Sequence, residues 1–536
     1  MQDPSTDIVS QGDLDITVLE QGTRSRLGGR QTSGNFQGRT LANSIAVFLG
    51  WLIPTAIFMF LTPYIVNNLG KEAYGIFTLT SVLTGYVSFM NLGFGEAVTK
   101  HTAQYAALDD WKNLTRTVSA GLIIFTFVGI AGGMLLLALS YWLVLSVFNI
   151  PLELSGAAVF VIRLAGLGFF LNMLTALLEG LAMGMNHFEI PNIIRIFRVS
   201  LSSLFMVLAL INGRGLPGVM AGNILGQFIT TTVSGFVTFR LVPRPRLQGA
   251  ISHIPELFAF GKYVFLSRGI NTVTSQIGST VLGIFSTMTS LTYFDIPTKI
   301  IHVGMEVFQR LFEQLFPLSA GLNSQGKRDL LSRIFVNIIR WQIILVLPIL
   351  LLVLFFGRFA LRFWIGEDFV SNSYSILIVT VIYQIISVLT GVPCQYALGL
   401  GRPDYPTWFS LVRLVLIGAV IYPLIRLFEA TGVALALLVG EAQGVVLIFF
   451  IARRLLGLDI WSILKRDLIK MATLLLAFIT LWAVVGDTLN AYPSILLQVG
   501  AAVTVLMLYA AGATALGVLP LEQAKRLLSR KFWKTA

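Results

Sequence analysis

Six ionisable residues, Asp295, Lys299, His302, Glu306, Arg310 and Glu313, recur at helical spacing inside an otherwise apolar stretch of the chain. At about 100° per residue they fall within an arc of roughly 80°, so a helix through them carries one charged edge. That edge is about 27 Å long at 1.5 Å per residue, close to the thickness of a bilayer core. Charged groups at a membrane centre cost roughly 2.5–3.5 kcal/mol each on insertion scales, which keeps such an edge out of lipid. It must face protein or water. Lys299 and Arg310 on this edge can hold an anionic group through charge-assisted hydrogen bonds. Asp295 and Glu306 can carry a proton or an ion. The same spacing allows self-neutralisation, because Asp295 with Lys299 and Glu306 with Arg310 are i,i+4 pairs in the favourable acid-first order.

Two further cations, Arg163 and Arg268, lie about seven to nine residues inside predicted helices, too deep for easy snorkelling. Arg163, Arg268, Lys299 and Arg310 are therefore the candidate substrate-binding residues, with mutual neutralisation as the alternative. Glu179 joins Asp295 and Glu306 as a candidate for proton or ion coupling. Glu441 aligns with Gln227 in an internal repeat, so the repeat does not require an ionisable group there.

Other chemistries lack their residues. One cysteine, Cys394, and four scattered histidines offer no metal-ligand spacing. Gly321–Lys327 reads GLNSQGK, but Arg328 stands where a P-loop needs Ser or Thr, and a predicted helix precedes it. Gly213, Gly215 and Gly218 fit GxGxxG without a βαβ unit. No catalytic group, metal or cofactor is expected, and the short loops leave little room for an enzyme domain.

Composition sets the class of the elements that must position these charges. The 536-residue chain is 55% hydrophobic and 12% charged, about half the usual charged share. Apolar runs of twenty or so residues recur along nearly its whole length, more than a soluble core can bury. The expected class is an all-α polytopic membrane protein. Helices are predicted over 41–66, 75–104, 115–147, 156–185, 190–211, 216–242, 259–288, 291–318, 332–357, 373–398, 406–428, 431–454, 468–487 and 494–518. With the N-terminus inside, 29 Lys and Arg fall in inner segments against 5 in outer ones. That asymmetry supports about fourteen transmembrane helices with both termini cytoplasmic. It also explains the net charge of +12 without nucleic acid.

The chain carries a degenerate duplication. Met183, Gly184, Met185, His187, Glu189 and Pro191 correspond, 215 positions on, to Leu398, Gly399, Leu400, Arg402, Asp404 and Pro406, and Arg198 then meets Arg413. Gly218, Gly222 and Gly226 match Gly432, Ala436 and Gly440 at an offset of 214, a small-residue spacing suited to close helix packing. Two six-helix halves of like orientation follow, with two further helices after them. Such repeats point to a transporter, whose substrate path forms where the halves meet. The organisation expected is a disordered arm over 1–40, bundles over 41–245 and 246–457, an interfacial segment with two helices over 458–518, and a basic tail over 519–536.

Leu69–Gly75 (LGKEAYG), the following Asn91-Leu92-Gly93-Phe94-Gly95, and the G-x-x-x-x-x-x-P turns at Gly184–Pro191 and Gly399–Pro406 carry a resemblance. Over about 41–518 the chain resembles the polysaccharide transport family, the Wzx-type oligosaccharide flippases of the multidrug/oligosaccharidyl-lipid/polysaccharide exporter superfamily. The resemblance implies two six-helix bundles around a central cavity plus two C-terminal helices. It implies a flippase in the bacterial cytoplasmic (inner) membrane that moves lipid-linked oligosaccharide of the undecaprenyl pyrophosphate type by alternating access. Its partners would be that substrate, membrane lipid and polysaccharide biosynthesis proteins. A cationic cavity would suit the pyrophosphate, although this chain mixes acids into its stripe. A cation-coupled multidrug exporter, with a chiefly acidic pocket and twelve helices, is the alternative. A polysaccharide polymerase or ligase would need a large outer loop that the chain lacks.

Overall fold

The computed structural model describes residues 33–89, 94–243, 245, 253–313, 315–491 and 494–518, and within these the side chains of several stretches, including Arg268, Glu306, Arg310 and Glu313, lie outside the description. The described residues are helical and contain no strand. In chain order the helices are α1 (Ser33–Leu69), α2 (Lys71–Ser88), α3 (Phe94–Ala107), α4 (Trp111–Trp142), α5 (Leu152–Gly184), α6 (Glu189–Ile211), α7 (Gly215–Thr238) and α8 (Ile254–Phe285). They continue as α9 (Met288–Glu313), α10 (Leu315–Ser324), α11 (Arg328–Trp364), α12 (Glu367–Gly399), α13 (Asp404–Ala442), α14 (Gly444–Leu455), α15 (Ile460–Ala491) and α16 (Ile495–Ala515).

Each of the fourteen predicted segments is helical over its described residues, with four differences of detail. The predicted 75–104 holds α2 and α3, with 90–93 between them outside the described residues, 291–318 holds α9 and the start of α10, 431–454 holds the end of α13 and most of α14, and α1 begins at Ser33 rather than 41. The P-loop-like run closes a plain helix–helix turn, with Gly326 at φ 70° just before α11. The Asn91-Leu92-Gly93 part of the family motif, most of the N-terminal arm and the 519–536 tail lie outside the described residues.

The duplication reappears in the backbone, hydrogen bond for hydrogen bond. At the end of α5, Met185 N–H donates to Leu181 O, Asn186 to Met183 O and His187 to Ala182 O. At the end of α12, Leu400 donates to Tyr396 O, Gly401 to Leu398 O and Arg402 to Ala397 O. Both are Schellman-type ends, in which one residue past the helix turns left-handed so that the last carbonyls find donors. Asn186 (φ 63°) and Gly401 (φ 74°) take that place. The side chains repeat too: His187 meets Glu189 at 2.7 Å, and Arg402 meets Asp404 at 2.9 Å.

The next turn repeats less comfortably. Gly215 (φ 57°) opens α7, and its counterpart at an offset of 214 is Glu429 (φ 48°, ψ −126°), which breaks α13 into two arms. That break falls in the predicted gap between 428 and 431.

Two compact units divide the chain. The first comprises Thr32–Ile296 and Ile417–Ala436. Within it the small residues do what their spacing predicts: a Cβ on Gly133 would lie 2.9 Å from the Gly166 carbonyl between α4 and α5. Between α6 and α7, one on Gly222 would lie 2.7 Å from the Phe205 backbone. Bare glycines let these backbones approach where any side chain would hold them apart.

The second unit comprises Pro297–Leu416 and the described residues from Leu437 onward. Its core joins α11, α12, α14 and α15 through Phe335 and Tyr396, whose rings meet edge to face at 5.0 Å. The two helices beyond the repeat, α15 and α16, pack on α11 through Phe355, Phe478 and Tyr509. Arg340 on α11 and Asp467 on α15 form an ion pair at 2.7 Å. Pro348 sits inside α11 and has no N–H for the carbonyl four residues back, that of Ile344. The Tyr509 hydroxyl donates to that carbonyl at 2.7 Å and fills the gap.

Nine segments of the described residues are long and apolar enough to cross a membrane, the paired arms of Asp404–Leu455 counting as one. Helices α2, α7, α8 and α9 are not among them.

Glu429→Gly should raise the thermal unfolding midpoint of the detergent-solubilised protein, because glycine removes about 1–3 kcal/mol of backbone strain at that turn. Tyr509→Phe should lower the midpoint by leaving the Ile344 carbonyl buried without a donor, at a cost of about 1–3 kcal/mol.

Candidate functional site

The charged stripe lies on α9, and its character changes along the helix. Asp295, near the start, is buried at 6% exposure and accepts a hydrogen bond from Thr78 Oγ1 of α2 at 3.1 Å. Lys299 is half-buried and His302 is exposed. The side chains of Glu306, Arg310 and Glu313 lie outside the described residues. The end of the stripe that is buried is thus fixed by a hydroxyl from another helix, as the low-dielectric interior demands of a carboxylate.

The start of α9 is clamped to the start of α2 by more than Asp295. Thr292 Oγ1 donates to the Lys71 carbonyl at 2.6 Å, and Lys71 Nζ donates to the Tyr293 hydroxyl at 3.0 Å. A Cβ at Gly75 would run into the Met288 carbonyl. The LGKEAYG segment therefore supplies a lysine and a bare glycine to one helix contact. Its Gly70, at φ 83°, makes the turn out of α1.

Helix α8 packs antiparallel along α2 further from that end. Gly269 lies against Phe89, and a Cβ on Gly85 would lie 2.7 Å from the Gln276 amide. Tyr86 and Thr280 hydroxyls hydrogen-bond at 2.9 Å. The middle of α8 reads RGINTVTSQIGST from Arg268 to Thr280. Asn271 and Ser275 on it are exposed. This uncharged polar run is not among the sequence-predicted site residues, all of which carry a formal charge. Its signal was present as amides and hydroxyls in the middle of a spanning helix.

Arg163 on α5 is exposed, and its Nε donates to Ser140 Oγ of α4 at 3.2 Å. Phe160 and Leu167 are exposed on the same face of the helix. Arg268 occupies the helical backbone of α8, three residues before Asn271, and its side chain lies outside the described residues.

Glu179 on α5 is half-buried, with Arg198 and Arg195 of α6 as its nearest charges. The repeat-related cation, Arg413, is paired directly: its Nη1 donates to Glu441 Oε2 at 2.9 Å, and Thr390 Oγ1 donates to the other oxygen at 3.1 Å. Glu441 is 3% exposed. Its counterpart Gln227 donates instead to the Gly168 carbonyl at 3.1 Å. The counterpart of Glu179 is Cys394, which sits within the field of both Glu441 and Arg413. Each half thus keeps a half-buried arginine at the same place and draws the acid from a different helix.

Residues 68–374, more than half of the chain, match the family described as polysaccharide biosynthesis protein. The chain belongs to that family. A protein of Shigella flexneri named for O-antigen transport is 21% identical over 74% of this chain and 93% of its own length. A Haloferax volcanii protein named as the flippase AglR is 22% identical over 76% of this chain and 80% of its own. Among solved structures, the inward closed lipid II flippase MurJ aligns with a TM-score of 0.65 at 13% identity, covering 88% of this chain and 98% of that one. An inward-facing multidrug resistance MATE transporter of the MOP superfamily aligns with a TM-score of 0.65 at 13% identity, covering 76% and 94%. These likenesses establish the fold, that of an all-α multipass membrane protein.

Removing either member of the buried pair strands the other. Arg413→Ala or Glu441→Gln should each cost about 3–5 kcal/mol of stability. Cys394→Glu combined with Glu441→Gln puts the acid where the first half carries it, and should recover part of that loss. Thermal unfolding of the purified variants reads all three, and a double variant no better than Glu441→Gln would deny the equivalence of the two halves.

Proposed function

We propose that this protein is a flippase that carries a polyprenyl-pyrophosphate-linked oligosaccharide from the cytoplasmic to the outer leaflet of the bacterial inner membrane, by alternating access. The observation that carries the reading is the way the polar helices meet. The helices α2 and α8 and the first turns of α9 bury a carboxylate and align hydroxyls and amides on one another. A protein that only spans lipid has no use for that arrangement. Family membership and the relatives named for O-antigen transport and flipping support the substrate class.

The substrate has two chemically distinct ends. Its isoprenoid tail is as apolar as lipid and can stay there, while the pyrophosphate and sugars must cross in a polar environment. Arg163, Arg268, Lys299 and Arg310 are the residues proposed to hold the pyrophosphate, because guanidinium and ammonium groups match phosphate oxygens. Glu179, Asp295 and Glu306 are the proposed coupling groups, each able to exchange a proton with the conformational cycle. Moving the lipid breaks no covalent bond, so no nucleophile or catalytic acid is called for. Both termini face the cytoplasm on the charge asymmetry of the loops.

The MATE likeness makes a cation-coupled drug exporter the second reading. The lipid II flippase likeness extends over more of this chain, 88% against 76%, as expected if the helices past the repeat belong to the working protein.

In proteoliposomes holding the full chain, the wild-type protein should move undecaprenyl-pyrophosphate-linked oligosaccharide between leaflets and leave a cationic dye gradient unchanged. The reverse result would decide for drug export. Arg163→Ala should slow lipid movement about tenfold or more, the worth of a charge-assisted hydrogen bond, with Arg163→Lys intermediate.

A further inference from the structure

Arg163 stands nearer to the end of its helix bundle than its place in α5 suggests. Two contacts set the register of α5 against α7: the Thr175 and Thr231 hydroxyls meet at 2.8 Å, and Gln227 Nε2 donates to the Gly168 carbonyl at 3.1 Å, offsets of 56 and 59 residues. Arg163 is therefore level with residues 219–222, only four to seven positions inside the start of α7 at Gly215, or roughly 6–10 Å. Its contact on α4 agrees with that depth. Ser140, which takes the Nε hydrogen bond, is followed directly by Tyr141 and Trp142, exposed at 63% and 55%. Exposed tyrosine and tryptophan together mark the head-group level of a spanning helix.

The surface around this guanidinium is apolar. Phe160, Arg163 and Leu167, at i, i+3 and i+7, share one exposed face of α5. Across the helix contact, Phe127, Ile130, Met134, Leu137 and Tyr141 recur at similar spacing along one exposed face of α4, about 21 Å from first to last. Such a face meets lipid tails and does not line a polar cavity. The Ser140 contact holds the guanidinium through Nε, one of its five N–H donors, and leaves the other four for a ligand.

A fixed guanidinium just below the head groups, with a long apolar face beneath it, matches a phosphate carried on a long tail. We propose that Arg163 and the exposed faces of α4 and α5 form an exit site, where the pyrophosphate of the transported lipid is held from the lipid side after reaching the outer leaflet, with its isoprenoid tail along Phe127 to Tyr141. A pyrophosphate carries more negative charge than the phosphodiester of an ordinary phospholipid, so it competes for the guanidinium despite being scarce. The assignment rests on the flippase reading above and separates Arg163, in place and in the order of events, from the other cations proposed to meet the pyrophosphate.

Photocrosslinking tests it. Replacing Phe160, exposed one turn from Arg163, with the photoreactive p-benzoylphenylalanine puts a reporter on this face of the full chain. In phosphatidylcholine proteoliposomes, radiolabelled undecaprenyl-pyrophosphate-linked oligosaccharide should label position 160 about tenfold more than an equal amount of radiolabelled phosphatidylglycerol. Arg163→Ala should lower that labelling about tenfold, the worth of a charge-assisted hydrogen bond, and Arg163→Lys should lower it less. The thermal unfolding midpoint of both variants should match that of the parent, since the side chain is exposed. Equal labelling by the two lipids, or labelling indifferent to Arg163→Ala, would overturn the exit site even where the lipid still moves between leaflets. Labelling that depends on Arg163 in a protein that moves no lipid would overturn the flippase reading instead, and with it the exit role.

Discussion

A bilayer core contains no water to bond with, so every polar group on a spanning helix must find its partner within the protein. The arrangement of this fold follows from that constraint. The buried Asp295 carboxylate takes a hydroxyl from α2. The buried Glu441 takes an arginine from α13 and a threonine from α12. Thr175 on α5 meets Thr231 on α7 at 2.8 Å. Each contact crosses between helices or between the two arms of α13, so the polar groups that cost most to bury also decide which helical segments are neighbours. The apolar faces need no such partners, and Phe127, Val484 and Leu496 stand largely exposed, at 72%, 77% and 86%, as lipid allows.

The two halves show what a duplicated chain keeps under this constraint. The turn after α5 and the turn after α12 keep the same three backbone bonds and the same left-handed residue, though asparagine fills the place in one and glycine in the other. Backbone satisfaction is a geometric demand and admits few solutions. Charge satisfaction is looser. Arg198 and Arg413 hold the same position, but their acids come from α5 in one half and from the second arm of α13 in the other. What persists is that a half-buried cation has an acid, and the helix that supplies it is free to change.

Periodicity and loop charge made the helices legible, because apolar length is written locally in the chain. The breaks were harder. Glu429, with φ 48°, breaks α13 with no proline next to it to announce the break. The partners of the site residues were not legible at all: Thr78 stands 217 residues from Asp295, and Glu441 looked dispensable because its counterpart is Gln227. The row on α8 escaped for a different reason. Serine and threonine in membrane helices often bond their own backbone, as Thr84 does to Thr80 and Ser88 to Thr84, so a hydroxyl in the sequence says little about a ligand. Ser275 on α8 does the same, donating to the Thr272 carbonyl at 2.9 Å.

The helices past the repeat are bound into the protein by the same rule. Pro348 takes a donor out of α11 at a point where the core is apolar and no water can replace it. The hydroxyl that serves the orphaned Ile344 carbonyl belongs to Tyr509 of α16, 165 residues on. A twelve-helix chain ending at the repeat would carry that proline without its remedy. The ion pair of Arg340 with Asp467 makes the same point with charge, since each member would be left partly buried and alone. The sequence of α11 is therefore written for a protein in which α15 and α16 are present, and these two helices complete the second unit's core.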